Sequence, residues 1–442
     1  MTSKKSKQTI FGSAGVFLIC FLLSTQLLTF LMNPYRESHA IETLVVQSSD
    51  ESDLIWFAQI TDVHVGKRES TPHFLTKFLE DLNDYVHPAF VVSTGDHVEG
   101  DYNLREVWAY PSEWILYDEV ISLAAGNLNY DYYDLPGNHD NWDNNNLSLF
   151  KQYSHIGKEF SAIHASWTIR KGNSSALFVG ISTVDIIGGE SPISHEGRIT
   201  ESELNYLKTE LEESADAKIV FSHHSPVETD LGYTIRETPE KDELMELLKT
   251  SGVILYANGH RHKERFLKGD GTLFLTADNW PHFRLCAIDL KRGQSSSFDY
   301  YANPITWPLI LPVFPVNSSQ AIKSQKKLSP EFSLEVLVFS RGDIEGVSID
   351  PGTGNWLDLT RAGTYLWRLS KNAEIQPIND TIKIRASDLL GRRREITLTV
   401  ENWQDETRET KDSSIDFFIL FSMVAITVPP LLFKRRKQRY DS

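Results

Sequence analysis

Cysteine is nearly absent: two in 442 residues, Cys20 in an apolar run and Cys286 far from it. That count excludes a disulfide framework and leaves too few thiolates for a Cys-based metal site. Any metal ion must therefore be held by His, Asp or Asn. Basic charge is also short, with 44 Lys and Arg against 60 Asp and Glu and a formal net charge of −16. Both tails are basic, through Lys4, Lys5 and Lys7 at one end and Lys434, Arg435, Arg436, Lys437 and Arg439 at the other, so the interior is more acidic still. Such a surface does not hold a nucleic acid backbone by charge, which argues against a nucleic-acid partner. A small phosphorylated substrate stays open. Hydrophobic residues make up 40% and aromatics 11%, enough for most of the chain to fold. The length favours two folded units with appendages, and no internal repeat is evident.

Long apolar runs are scarce, and both sit near the ends. Residues 10–32 form an uncharged run of 23, long enough to span a bilayer. They are read as a transmembrane anchor, with a cleaved signal as the alternative because Ser38-His39-Ala40 follows. Residues 417–433 form a second run of 17, broken late by Pro429 and Pro430 and followed by the basic cluster. With its flank it is read as a transmembrane helix over 415–433. Positive charge favours the cytoplasmic side, so tails 1–9 and 434–442 are expected there. The expected location is a membrane, with the large middle region lumenal or extracellular. Sequons at Asn146, Asn173, Asn317 and Asn379 permit glycosylation on that side.

Residues 54–303 alternate strand-like runs (54–60, 89–93, 217–222, 253–257) with amphipathic stretches such as 74–86, an α/β pattern. Thr200-Glu201-Ser202-Glu203 fits a capping box, with Leu204, Leu207 and Leu211 on one helical face behind it. Pro304, Pro308, Pro312 and Pro315 then punctuate a stretch read as a Pro/Ser-rich linker, 304–328. Residues 329–403 break into short strand-like pieces, with a hairpin turn at Asp388-Leu389-Leu390-Gly391 and no catalytic cluster. That suits an all-β sandwich of immunoglobulin-like size.

Five polar clusters punctuate the α/β region, each after an apolar run: Asp62-Val63-His64, Gly95-Asp96, Gly137-Asn138-His139-Asp140, His223-His224 and Gly259-His260-Arg261-His262. In an extended D-x-H segment the two side chains point the same way and can share one ion. A carboxylate such as Asp96 can bridge two cations, and the Asn138 carbonyl can ligate one. His139 is then free for acid–base work, with Asp140 placed to orient its imidazole and keep it protonated. Histidines 260 and 262 can face one cavity, and Gly259 allows close backbone approach. The D-x-H and G-D pairs are weak alone and Gly137-Asn138-His139-Asp140 is the most specific cluster, but their order matters more than any one of them. His97, His155, His164 and His195 are read as core or surface residues. Arg198 and Arg261 are read as solvated charges that could reach a phosphate, and His97 and Trp142 as the best unassigned pocket residues.

That order, D-x-H, G-D, G-N-H-D, H-H and G-H-x-H, resembles the calcineurin-like metallophosphoesterase superfamily over roughly residues 54–290. The resemblance implies a four-layer α/β/β/α sandwich holding two divalent metal ions (Mn, Fe or Zn). It implies Asp62, His64, Asp96 and His262 around one ion and Asp96, Asn138, His223 and His260 around the other. His223 is preferred to His224 because it directly follows the strand. His139 faces the leaving group with Asp140 behind it. Purple acid phosphatases carry a tyrosine three residues after the bridging Asp; Glu99 stands there, which disfavours a ferric site. Trp56-Phe57-Ala58-Gln59-Ile60, Asp278-Asn279-Trp280 and the trailing sandwich with a membrane segment resemble the transmembrane protein 62 type. The expected activity is hydrolysis of a phosphomonoester or phosphodiester by hydroxide bridging the two ions. The substrate is expected to be small: a lipid or glycolipid head group, a nucleotide or a sugar phosphate. The alternative is an inert scaffold whose β-sandwich binds a partner.

Overall fold

Leu54–Ile60 is a strand with all seven residues buried, at the middle of the five-stranded sheet in this computed structural model. The structure describes residues 41–45, 53–102, 107–125, 128–142, 146–184, 196–228, 234–322, 334–369 and 381–400. The expected spans at 10–32 and 415–433, both basic tails, His195 and Asn379 lie outside them. Among the described residues no helix is long and apolar enough to cross a membrane.

Two sheets form the α/β region. One runs Gln294–Tyr301, His282–Asp289, Leu54–Ile60, Phe90–Ser93, Asp131–Asp134, with the last three strands parallel. The other has seven strands in the order Ile41–Val45, Ala165–Lys171, Ser174–Gly180, Ala217–Phe221, Val253–Asn258, Thr272–Thr276, Arg265–Gly269. Alternation along each strand decides which layer a side chain joins. Ala176, Phe178, Ile219 and Phe221 enter the core shared with Phe57 and Phe90, where Phe90 and Phe178 meet at 4.8 Å and Phe57 and Phe221 at 5.6 Å. Their neighbours Leu177, Val179 and Val220 pack on the other face against Leu204, Leu207, Leu244 and Leu248 of helices Glu201–Glu210 and Pro239–Thr250. On the far side, Phe78 of helix Thr71–Tyr85 covers Phe283 at 4.9 Å. The layers run helix, sheet, sheet, helix. Truncating one of these buried rings to alanine costs about 3–5 kcal/mol.

Half of the expected capping box forms. The Thr200 side chain accepts from Glu203 N, but the Glu203 carboxylate does not reach back to Thr200. It accepts from Ser182 N at 3.0 Å and lies 2.9 Å from His164 Nδ1, tertiary partners that a local motif does not anticipate.

The C-terminal region adds two antiparallel four-stranded sheets. The segment expected as a linker supplies one strand: Leu309–Phe314 pairs antiparallel with Glu335–Phe339. It is an edge strand, where Pro312 loses no bond for want of an N–H. Leu309 and Leu311 share one apolar cluster with Leu285 of the α/β region and Leu337 and Phe339 of the C-terminal sheets. Polar contacts cross the same junction. The Arg341 guanidinium meets both oxygens of buried Asp81 at 2.6 Å, and Arg292 lies 2.8 Å from Glu335.

Candidate metal centre

All five polar clusters lie just beyond the C-terminal ends of parallel strands: Leu54–Ile60, Phe90–Ser93, Asp131–Asp134, Ala217–Phe221 and Val253–Asn258. This is where open α/β sheets leave room for a ligand. Cross-links hold the two sheets in register there. Gln59 Nε2 donates to Thr94 Oγ1 at 3.1 Å and to the Asn258 carbonyl at 3.2 Å. The loops also pair backbone to backbone, Asp62 N with Gly95 O at 2.9 Å and Gly259 N with His223 O at 3.1 Å.

The D-x-H segment is not extended. Asp62 and His64 have φ of 54° and 50°, and Asp96, His260 and His262 have 55°, 69° and 54°. Five of the expected ligands thus occupy the left-handed region that side chains rarely adopt, at about 1–3 kcal/mol each. The side chains converge because the chain kinks at each, not because a strand alternates. Two glycines make room. A Cβ on Gly259 falls 1.8 Å from Thr61 Oγ1, and one on Gly137 falls 2.2 Å from Asp96 Oδ1.

The side chains form overlapping groups whose ligand atoms lie within 4.8 Å of one another: Asp62, His64 and His262; Asp62, Asp96, His223 and His260; and His64, Asp96 and His139. His64 Nε2 and His262 Nε2 are 3.4 Å apart, and His262 Nε2 is 3.0 Å from Asp62 Oδ1. In the second group His223 Nε2 lies 3.1 Å from Asn138 Oδ1, 3.1 Å from His260 Nδ1 and 3.3 Å from Asp96 Oδ2. His224 belongs to a group with His223 and His260, and its Nδ1 faces Thr183 Oγ1 at 2.9 Å.

Electrostatics follow from this crowding. Burial alone raises the Asp62 and Asp96 carboxyls, but His262 and His223 beside the first, and His223 and His139 beside the second, hold both well below the usual carboxylate range. Burial opposes a charge on His223, yet Asp96 pushes its pKa up to about 9. Asn138 Oδ1, His260 Nδ1 and Asp96 Oδ2 converge on its Nε2. His223 Nδ1 is already committed to the Thr94 carbonyl at 2.7 Å, which orients Nε2 inward. A divalent cation can take these converging N and O atoms as ligands, and the N/O donor set suits Mn, Fe or Zn.

His139 presents Nε2 to the centre, 3.9 Å from Asp96 Oδ2. Its Nδ1 is held by the Glu99 carbonyl at 2.6 Å, and Trp142 stacks on its ring at 3.7 Å. Asp140 does not orient it. That carboxylate is consumed by the backbone N–H groups of Asp96, His97 and Gly137 and by His97 Nδ1 at 2.8 Å. His97 is therefore a fully buried partner of Asp140 and not a pocket residue. Burial lowers the His139 pKa, against the pull of Asp96. The expectation that an adjacent acid keeps it protonated is thus corrected. Adjacent residues in a turn point apart, and Asp140 points into the loop it braces.

Sequence reading missed the structural use of Glu99. Its carboxylate stands 2.8 Å from His64 Nδ1, the arrangement by which outer carboxylates orient metal-binding imidazoles. Glu228, fully buried, was also missed; it takes both Arg261 and Arg265, so Arg261 braces the loop of His260 and His262. His164 stacks on Tyr206 at 3.8 Å, and His155 N–H is bonded to Asp134, both in structural settings.

Residues 55–264 match the model of the family described as calcineurin-like phosphoesterase. An Arabidopsis thaliana protein named as a metallophosphoesterase is 27% identical over 236 residues, 49% of this chain and 31% of that protein. A protein of Arcobacter nitrofigilis named as a glycerophosphodiester phosphodiesterase is 27% identical, over 54% of this chain and 83% of that protein. Transmembrane protein 62 of Mus musculus is 22% identical over 399 residues, 84% of this chain and 59% of that protein. The chain thus spans less than two thirds of the Arabidopsis and mouse relatives. Among solved structures, a dimetal phosphatase from Danio rerio matches with 13% identity and TM-score 0.39, over 55% of this chain and 98% of that one.

Proposed function

We propose, from the premise that residues 55–264 form a calcineurin-like phosphoesterase domain, that this chain hydrolyses phosphate esters with two divalent cations. The observation that carries the reading is the set of overlapping N/O donor groups, Asp62 with His64 and His262, His64 with Asp96 and His139, and Asp62 with Asp96, His223 and His260, each within 4.8 Å. Asp62, His64, Asp96 and His262 are assigned to one ion and Asp96, Asn138, His223 and His260 to the other. Bound cations supply Lewis acidity, activating water and offsetting charge on the phosphoryl oxygens.

The chain's own residues do the rest. The Thr94 and Glu99 groups orient His223 and His64 toward the ions. His139, fixed through Nδ1 by the Glu99 carbonyl and stacked by Trp142, offers Nε2 to the leaving oxygen. In its protonated form it is the general acid, and burial makes that proton easier to give up. Asp140 acts on the loops that carry Asp96 and Gly137 and not on His139 directly.

The finer reading is a membrane-anchored enzyme. The apolar runs at 10–32 and 415–433 and the likeness to transmembrane protein 62 support it, with the catalytic domain lumenal or extracellular and the C-terminal sheets an immunoglobulin-like sandwich. The test is hydrolysis of aryl phosphomonoesters and bis-aryl phosphodiesters by the purified protein with manganese, zinc or iron(II). Metal-dependent turnover that chelation abolishes supports the reading. No turnover with any of these ions, beside retained metal binding, favours the inert scaffold.

A further inference from the structure

A cleft opens beside the centre from Asp62 and His64. Its lining includes the cations Lys67 and Arg68, the rings of Phe74, Trp280 and Tyr301, and Asn279, with Trp280 itself buried. Its charge is unusual for this molecule. The chain carries 60 acidic residues against 44 basic ones, yet among the described residues Asp62 is the one carboxylate that lines the cleft. Lys67 and Arg68 are exposed, with Lys67 Nζ 3.5 Å from Glu99 Oε2. The apolar wall is rigidly joined to the centre. Trp280 N donates to the Thr61 carbonyl at 3.0 Å, one residue before Asp62, and its ring packs edge-on to Phe78 at 5.3 Å. Tyr301 is 47% exposed, with ring surface available to a ligand.

We propose that this cleft is a subsite for the organic portion of the substrate, and that it selects esters carrying a second anionic group beside a flat or apolar portion. The inference rests on the phosphoesterase reading. An arginine fork and a lysine point charge suit a carboxylate or a second phosphate. The exposed Tyr301 ring and the half-buried Phe74, with the edge of Trp280 between core and cleft, suit a ring or short apolar segment. A phosphoryl group held by the metal centre leaves its organic portion to extend along this cleft.

The experiment compares phenyl phosphate with 4-carboxyphenyl phosphate on the full chain with manganese. Wild type is expected to prefer the carboxylated ester by about tenfold in kcat/KM, mainly through KM. Arg68→Gln and Lys67→Gln each bring that ratio toward one, and added salt does the same. A wild-type ratio of one, or a ratio unmoved in both variants, overturns the subsite. If wild type hydrolyses neither ester, the phosphoesterase reading fails. Calorimetry of 4-carboxyphenylphosphonate against phenylphosphonate then still decides the subsite, because equal affinities overturn it.

Discussion

The Glu99 carboxylate lies 2.8 Å from His64 Nδ1, while the carbonyl of the same residue holds His139 Nδ1 at 2.6 Å. One residue therefore places its carboxylate beside a proposed metal ligand and holds the proposed acid with its backbone. Burial raises the Glu99 carboxyl, and the contact with His64 overrides that and holds it low. Glu99→Gln keeps the carbonyl and removes the charge. Metal affinity is expected to fall about 10–100-fold with the fold intact. Metal titration by calorimetry checks it, and unchanged affinity counts against the orienting role.

His139 and Asp96 separate chemistry from metal binding. His139→Ala is expected to lose about 10²–10⁴-fold in kcat while keeping bound metal. Asp96→Asn loses metal and activity together, because its carboxylate lies within reach of His223 and His139. Metal content measured beside an aryl-phosphate assay distinguishes them. Full activity in the His139 variant removes it from the mechanism.

Gly259→Ala tests the close approach of the two sheets. The added methyl falls 1.8 Å from Thr61 Oγ1 and 2.7 Å from Asp62 Oδ2. Both belong to the buried core of the site, so relief requires moving Thr61, whose hydroxyl donates to Asp62 Oδ2 at 2.7 Å, and Asp62 with it. Thermal unfolding is expected to show a loss of about 1–3 kcal/mol, as for other overpacked positions, together with weaker metal binding. A variant with wild-type stability and metal content shows that the loop shifts freely.

Asp388 gives a pH-dependent prediction in the C-terminal sheets. Burial raises its carboxyl, but Ser340 and Arg392 donate to it and hold it below the ordinary value. A carboxyl lowered in the folded state adds stability above its unfolded pKa and loses it as pH falls through the folded value. The stability gap between wild type and Asp388→Asn is therefore expected to be full at neutral pH and to close in acid below about pH 4. Urea unfolding at several pH values measures it, and a gap independent of pH rules out the carboxylate as its source.

The donors that the structure brings together could be picked out beforehand because residue type and order mark them. Asp62, His64, Asp96, Asn138, His223, His260 and His262 each follow a strand, and runs such as Leu54–Ile60 and Val253–Asn258 are buried throughout. Contacts between distant segments were not legible. The Asp140 carboxylate bonds to His97 across 43 residues, whereas sequence adjacency suggested His139. The Pro-rich stretch hid the strand Leu309–Phe314, because its prolines look like punctuation until the edge position becomes visible.

The sequence alone determined which donors exist, that none is a thiolate pair, and that they come at strand ends in a recognisable order. Tertiary structure decided where they point. Left-handed kinks at Asp62, His64, Asp96, His260 and His262 turn the side chains inward, and only packing between loops maintains such kinks. It also decided which groups brace them, because Glu99, Asp140 and Glu228 acquire their roles through neighbours brought close by the two facing sheets.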